Sequence, residues 1–443
     1  ASARAEWKAN TYIKEGDSLT EKWVEESNKA LASFTGSEKI INRTRALLEM
    51  KDSLSDLQVR QLDKILYRAA QNPGTVPDLV EKRISAENKQ NNTLFGFSYT
   101  LDGNEFTTNE IDAILKEETD LAKREQIWVL SKEVGKDLKP GLVELRELRN
   151  QVVKELGYSD YFSYQVSDYG MSREEMLELN QQLVKEIWPL YRELHTYMRY
   201  EMAEKYNAEV PEMLPAHWLP NRWGQDWSAI VDVEGLDLDA VLEEKGSDWL
   251  VEQSERFYVS LGFKELPQSF YDSSSLYPLP EDADYKKNNH ASAWHLDLDQ
   301  DVRSLMSVEP NAEWYETTHH ELGHIYYYLE YSRPEVPLLL RGGANRAFHE
   351  GIGSLLGLAA MQKPFIEGLN LIETGTETDD VRILLKEAMN YIVFMPWSAG
   401  VMTHFENDLY AENLSPEELN ERWWKYKKDF QGITAPNERG AEY

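Results

Sequence analysis

Residues 319–324 read His-His-Glu-Leu-Gly-His, and residues 348–350 read Phe-His-Glu. No other stretch of the chain constrains its fold as tightly. A His-Glu-x-x-His array works only on a helix, where residues four apart share a face and both imidazoles can reach one metal ion. His320 and His324 occupy those positions. Glu321 lies between them, displaced around the helix, where it can take a proton from a metal-activated water. The stretch 314–331 suits a helix, since it has no Pro and Gly323 is its only Gly. An internal Gly costs a helix roughly 1 kcal/mol against Ala. Its presence here points to close packing near the metal.

Catalytic zinc takes three protein ligands and keeps one position open. Two histidines leave one ligand to find, and Glu350 is the best candidate. It falls on an expected second helix over 345–361, rich in small and apolar residues. The competing reading is a helix that carries surface histidines by chance. The downstream Glu argues against it.

Composition bounds the remaining classes. Lys and Arg number 47 against 78 Asp and Glu, a formal net charge of −31. That balance argues against nucleic acid and anionic membrane surfaces as partners. The absence of Cys removes disulfides, thiolate zinc ligands and a Cys nucleophile. No apolar run is long enough for a membrane span, and the first ten residues lack the apolar core of a signal peptide.

Helical periodicity dominates. It predicts helices over 19–33, 54–71, 108–134, 142–156, 173–206, 249–261, 314–331, 345–361, 381–394 and 416–430. Alternation suggests short strands over 93–101 and 290–298, and the Pro- and Ser-rich stretch 262–285 reads as a long loop. The fold class expected is mainly α with few short strands: one domain over 1–443, with two lobes around a cleft.

The histidine motif, followed by Leu340-Arg341-x-Gly343-Ala344-Asn345-x-x-Phe348-His349-Glu350, resembles peptidase family M2, the angiotensin-converting enzyme family. Residues 290–294 (His-Ala-Ser-Ala-Trp), Pro215-Ala216-His217 with Asn221, Trp223, Gln225 and Trp227, and Trp423-Trp424 with Gln431-Gly432-Ile433 extend the similarity. The bacterial members are the nearest in character. The resemblance implies a gluzincin-type helical ellipsoid with a deep central channel and N-terminal lid helices. It implies one zinc ion held by His320, His324 and Glu350, with Glu321 as general base. His290 and Ala291 would bind the substrate backbone, and Gln225 the terminal carboxylate of an oligopeptide. Gln225, rather than the Arg of the monocarboxypeptidase relative, favours release of a dipeptide.

Three departures stand out. Ser354 occupies the place of an acidic residue that orients a zinc histidine. The chloride-binding Arg of the animal enzymes aligns near Val166, which argues against chloride activation through that site. The chain ends at Tyr443, whereas the family continues for more than a hundred residues that carry oxyanion and carboxylate-binding groups.

The function expected is therefore a zinc-dependent peptidyl-dipeptidase, secreted or periplasmic, acting on oligopeptides. The alternatives are a peptide-binding protein with a retained zinc site, and a zinc monocarboxypeptidase.

Overall fold

The computed structural model describes residues 1–442 apart from 15, 235–237, 281 and 289. These residues are mainly helical, and the strands are short and paired only in twos. The chain divides into two compact units, one of residues 1–74 and 234–378, the other of residues 75–233 and 379–443.

The first unit carries the His-Glu-x-x-His motif. Its motif helix, Ala312–Tyr331, starts at Asn311, whose side chain accepts from the Trp314 N–H and caps the first turn. The second ligand helix, Arg346–Ala360, is capped the same way by Asn345 through the Phe348 N–H. The two helices cross at glycines. A Cβ on Gly323 would lie 3.0 Å from the Gly353 Cα and 2.9 Å from the Tyr258 hydroxyl. The expectation of close packing at Gly323 is met by the facing backbone of the second ligand helix. Tyr258, on the helix Ser247–Ser260, fixes the crossing from behind by donating to the His319 carbonyl at 2.6 Å. Leu250, Phe257, Phe270, Val302, Tyr315, Leu322 and Ile325 form the apolar core beneath. The hairpin of Ser292–His295 and Val302–Leu305 is antiparallel and is tied to the motif helix by the Tyr328 hydroxyl, which donates to the Ala293 carbonyl at 3.1 Å. Trp7 of the first helix, Ser2–Thr11, packs edge-on against Trp294 of this hairpin, with 5.6 Å between ring centres.

The second unit is built on the long helices Val134–Lys154, Arg173–Lys205, Asp380–Met395 and Leu419–Gln431. Its core gathers Trp128, Tyr191, Met198, Trp218, Trp227 and Met389.

Three local expectations are corrected. The helix expected over 108–134 breaks into Thr108–Glu117 and Leu121–Leu130. The buried Arg124 guanidinium takes the carbonyls of Leu115 and Glu118, and the Asp120 carboxylate caps the N–H groups of Ala122 and Lys123. The strand expected over 93–101 shrinks to Tyr99–Leu101, because the helix Pro77–Gly96 runs through its first half. An Asp102-Gly103 turn with both φ angles positive then folds it onto Asn104–Phe106. Within the expected loop 262–285, a short helix, Gln268–Ser273, inserts Phe270 into the core.

Candidate active site

Four residues apart on the motif helix, His320 and His324 bring their Nε2 atoms to 3.1 Å of each other. Glu350 reaches across from the second ligand helix. Its Oε2 lies 3.6 Å from His320 Nε2 and 3.5 Å from His324 Nε2. These separations match the edges, about 3.3 Å, of a tetrahedron with metal–ligand bonds of about 2.0–2.1 Å. Two imidazoles and one carboxylate are a zinc donor set that leaves one vertex open. The two histidines hold the Glu350 carboxyl well below its ordinary range. The ring of His320 rests on Gly353, where a Cβ would lie 2.9–3.1 Å from its atoms. A side chain at that position would press on the ring and shift it from this pose.

Glu321 is 6% exposed, and its Oε2 has no hydrogen-bond partner among the described residues. Burial raises its pKa, against the opposing pull of His320 and His324. A buried carboxylate with an unpaired oxygen beside a metal cluster can accept and return a proton.

Behind His324 sits a residue that sequence reasoning missed. His349 Nδ1 lies 2.6 Å from His324 Nδ1. Burial, followed by the neighbouring His324 ring, pushes His349 down to about 4, so its imidazole is neutral near pH 7. With His324 Nε2 turned to the metal position, His324 Nδ1–H donates and His349 Nδ1 accepts. The orienting bond to a zinc histidine is thus made by the residue just before the ligand Glu. Ser354 is half-buried on the second ligand helix, and its hydroxyl takes part in no hydrogen bond among the described residues. The sequence signal was the His349-Glu350 pair itself, but its meaning depends on how the two helices cross.

His290 is exposed, with its N–H on the Asn288 side chain at 3.0 Å, and Ala291 leads into the strand Ser292–His295. The Tyr328 hydroxyl that tethers this strand is carried by the motif helix, four residues beyond His324. Gln225 belongs to the second unit. It is half-buried on a non-helical segment between Gly224, at φ 64°, and the fully buried Trp227. Val166 is buried with Phe162, Leu409 and Leu414.

The sequence matches the family profile described as angiotensin-converting enzyme, peptidase family M2, over residues 1–443. The chain belongs to peptidase family M2. An angiotensin-converting enzyme-related protein of Drosophila melanogaster is 31% identical over 319 residues, covering 68% of this chain and 49% of the fly protein. The angiotensin-converting enzyme of Bos taurus is 31% identical over 324 residues, covering 70% of this chain and 24% of the bovine protein. That of Rattus norvegicus is 30% identical over 332 residues, covering 70% and 24%. The chain thus spans about half the length of the fly relative and about a quarter of the mammalian ones. The family is zinc-dependent, and His320, His324 and Glu350 form the group that could hold the ion.

Proposed function

We infer that the chain is a zinc peptidyl-dipeptidase that removes C-terminal dipeptides from unstructured oligopeptides. One observation carries this reading: the buried Glu321 carboxyl, with an unpartnered oxygen, lies beside a three-donor cluster. A structural zinc site fills all four positions with protein and has no need of a base.

Zinc, when bound, acts as a Lewis acid that polarises the scissile carbonyl and brings the pKa of water to about 7. Glu321 accepts the proton of the attacking water at Oε2 and passes it to the departing amine. Its raised pKa suits a carboxylate that must hold a proton between two transfers. His349 keeps the His324 ring in its ligand pose. His290 and Ala291 bind the peptide backbone ahead of the hairpin. By the family resemblance, Gln225 is the residue for the terminal carboxylate, and its identity as Gln rather than Arg is what favours dipeptide over single-residue release. Export to the periplasm or the cell exterior belongs to the same reading. No helix among the described residues is long and apolar enough to cross a membrane.

Product masses test this. The zinc-loaded chain should shorten an unstructured peptide with a free C-terminus by two residues at a time and leave the C-terminally amidated peptide largely uncut. Loss of single residues would assign a monocarboxypeptidase. Peptide binding without cleavage at full zinc occupancy would assign a binding protein.

A further inference from the structure

The second unit contains a cavity of about 360 Å3 that the proposed chemistry does not use. Its wall is largely aromatic and aliphatic, with Trp128, Trp223, Trp424, Leu219 and Ile433 among the lining. Into this apolar space come the ammonium groups of Lys132 and Lys427, joined by the guanidinium groups of Arg222 and Arg439. No Asp or Glu lies in the lining.

The two lysines are held in place without a counter-charge. Lys132 Nζ donates to the Arg222 carbonyl at 2.9 Å and sits 3.9 Å from the centre of the Trp223 ring. Lys427 is 4% exposed, and its Nζ donates to the Trp223 carbonyl at 2.8 Å and to the Gln431 side chain. Neither forms an ion pair among the described residues, whereas Arg222 is bridged to Asp112 at 2.6 Å. Burial pushes Lys427 down to about 7, and burial, followed by the charges of Arg222, Lys427 and Arg439, pushes Lys132 down as well. One buried donor is idle: Trp128 is 2% exposed, and its indole N–H has no acceptor among the described residues. Buried cations and buried donors are costly unless something pairs with them. Three indole side chains and two lysine amino groups lining one cavity suit a flat apolar body with one anionic end.

We propose that this cavity binds an aromatic monocarboxylate, its carboxylate between Lys132 and Lys427 and its ring among Trp128, Trp223 and Trp424. The cavity is far larger than a monatomic anion needs. The net charge of −31 repels anions from the protein at large, so affinity must come from this local pair of cations.

The probe is 2-naphthylacetate, titrated into the full chain and followed by calorimetry and by quenching of tryptophan fluorescence. Saturable binding at one site per chain is expected. The neutral 2-naphthylacetamide should bind at least tenfold more weakly. Lys132→Met and Lys427→Met, which keep the length and apolar bulk of the stem, should each weaken binding tenfold or more. Absence of saturable binding, equal affinity for the amide, or unchanged affinity in both variants overturns the proposal. So does displacement of the probe by equimolar chloride, which would reassign the site to a small inorganic anion. Should the variants fail to fold, the comparison of acid with amide in the unaltered protein still decides.

Discussion

Replacing His349 by Ala should weaken zinc binding although His349 is not a ligand. Its Nδ1 is the acceptor that fixes the His324 ring, at 2.6 Å. Loss of an outer partner of a metal histidine typically costs 10–100-fold in affinity, about 1.4–2.7 kcal/mol. The Ala variant also loses the edge contacts of the His349 ring with Tyr327 and Tyr328, whose centres lie 4.6 and 4.9 Å away. His349→Asn separates orientation from packing, because an amide oxygen can accept in place of Nδ1. The assay is competition for zinc against a chelator of known affinity, with thermal melting of the metal-free proteins as a check on folding. The expected order of affinity is wild type, then Asn, then Ala, with Ala lower than wild type by one to two orders of magnitude. Ser354→Ala, which removes no hydrogen bond, should stay within about twofold of wild type. Equal zinc affinity in wild type and His349→Ala, or a larger loss in Ser354→Ala than in His349→Ala, would refute the assignment of the orienting role.

Two further outcomes follow from packing and burial. Gly353→Ala places a methyl 2.9–3.1 Å from the His320 ring, so zinc affinity should fall about tenfold or more while the helix itself is favoured by the change. In the metal-free protein, stability should fall as the pH drops from about 6.5 to about 4, because burial pushes both His217 and His319 down to about 4. Both have folded pKa values below the unfolded value of about 6.5, so over that window the unfolded chain binds protons that the folded chain refuses. Their stabilisation is complete above this window and, for His319, is on the order of 3 kcal/mol. Urea midpoints measured across the window should decline, and less steeply in His319→Gln. An equally steep decline in that variant would remove His319 from the account.

Two members of the group that could hold the metal were legible because helix geometry alone brings His320 and His324 together, and Gly323 signalled a backbone pressed against the motif helix. The partner of Gly323, Gly353, and the role of His349 were not legible. Both depend on the angle at which two helices cross, which no periodicity records. The broken helix at 118–120 was hidden for a similar reason. Arg124 reads as an ordinary helix-former until its guanidinium is seen spending its donors on the carbonyls of Leu115, Glu118, His217 and Leu219. The strand over 93–101 was overdrawn because Phe, Tyr and Thr suit a pleated surface equally well at the end of a helix and in a hairpin. The Asp102-Gly103 turn was the better guide.

Glu321 is the proposed base beside a zinc ion held by His320, His324 and Glu350. The most direct measurement pairs zinc content with peptide hydrolysis in wild type and Glu321→Gln. One zinc per chain is expected in both proteins, with dipeptide release in the variant slower by at least about 10²–10⁴. A Glu321→Gln protein that keeps its zinc and still cleaves at the wild-type rate would contradict that role.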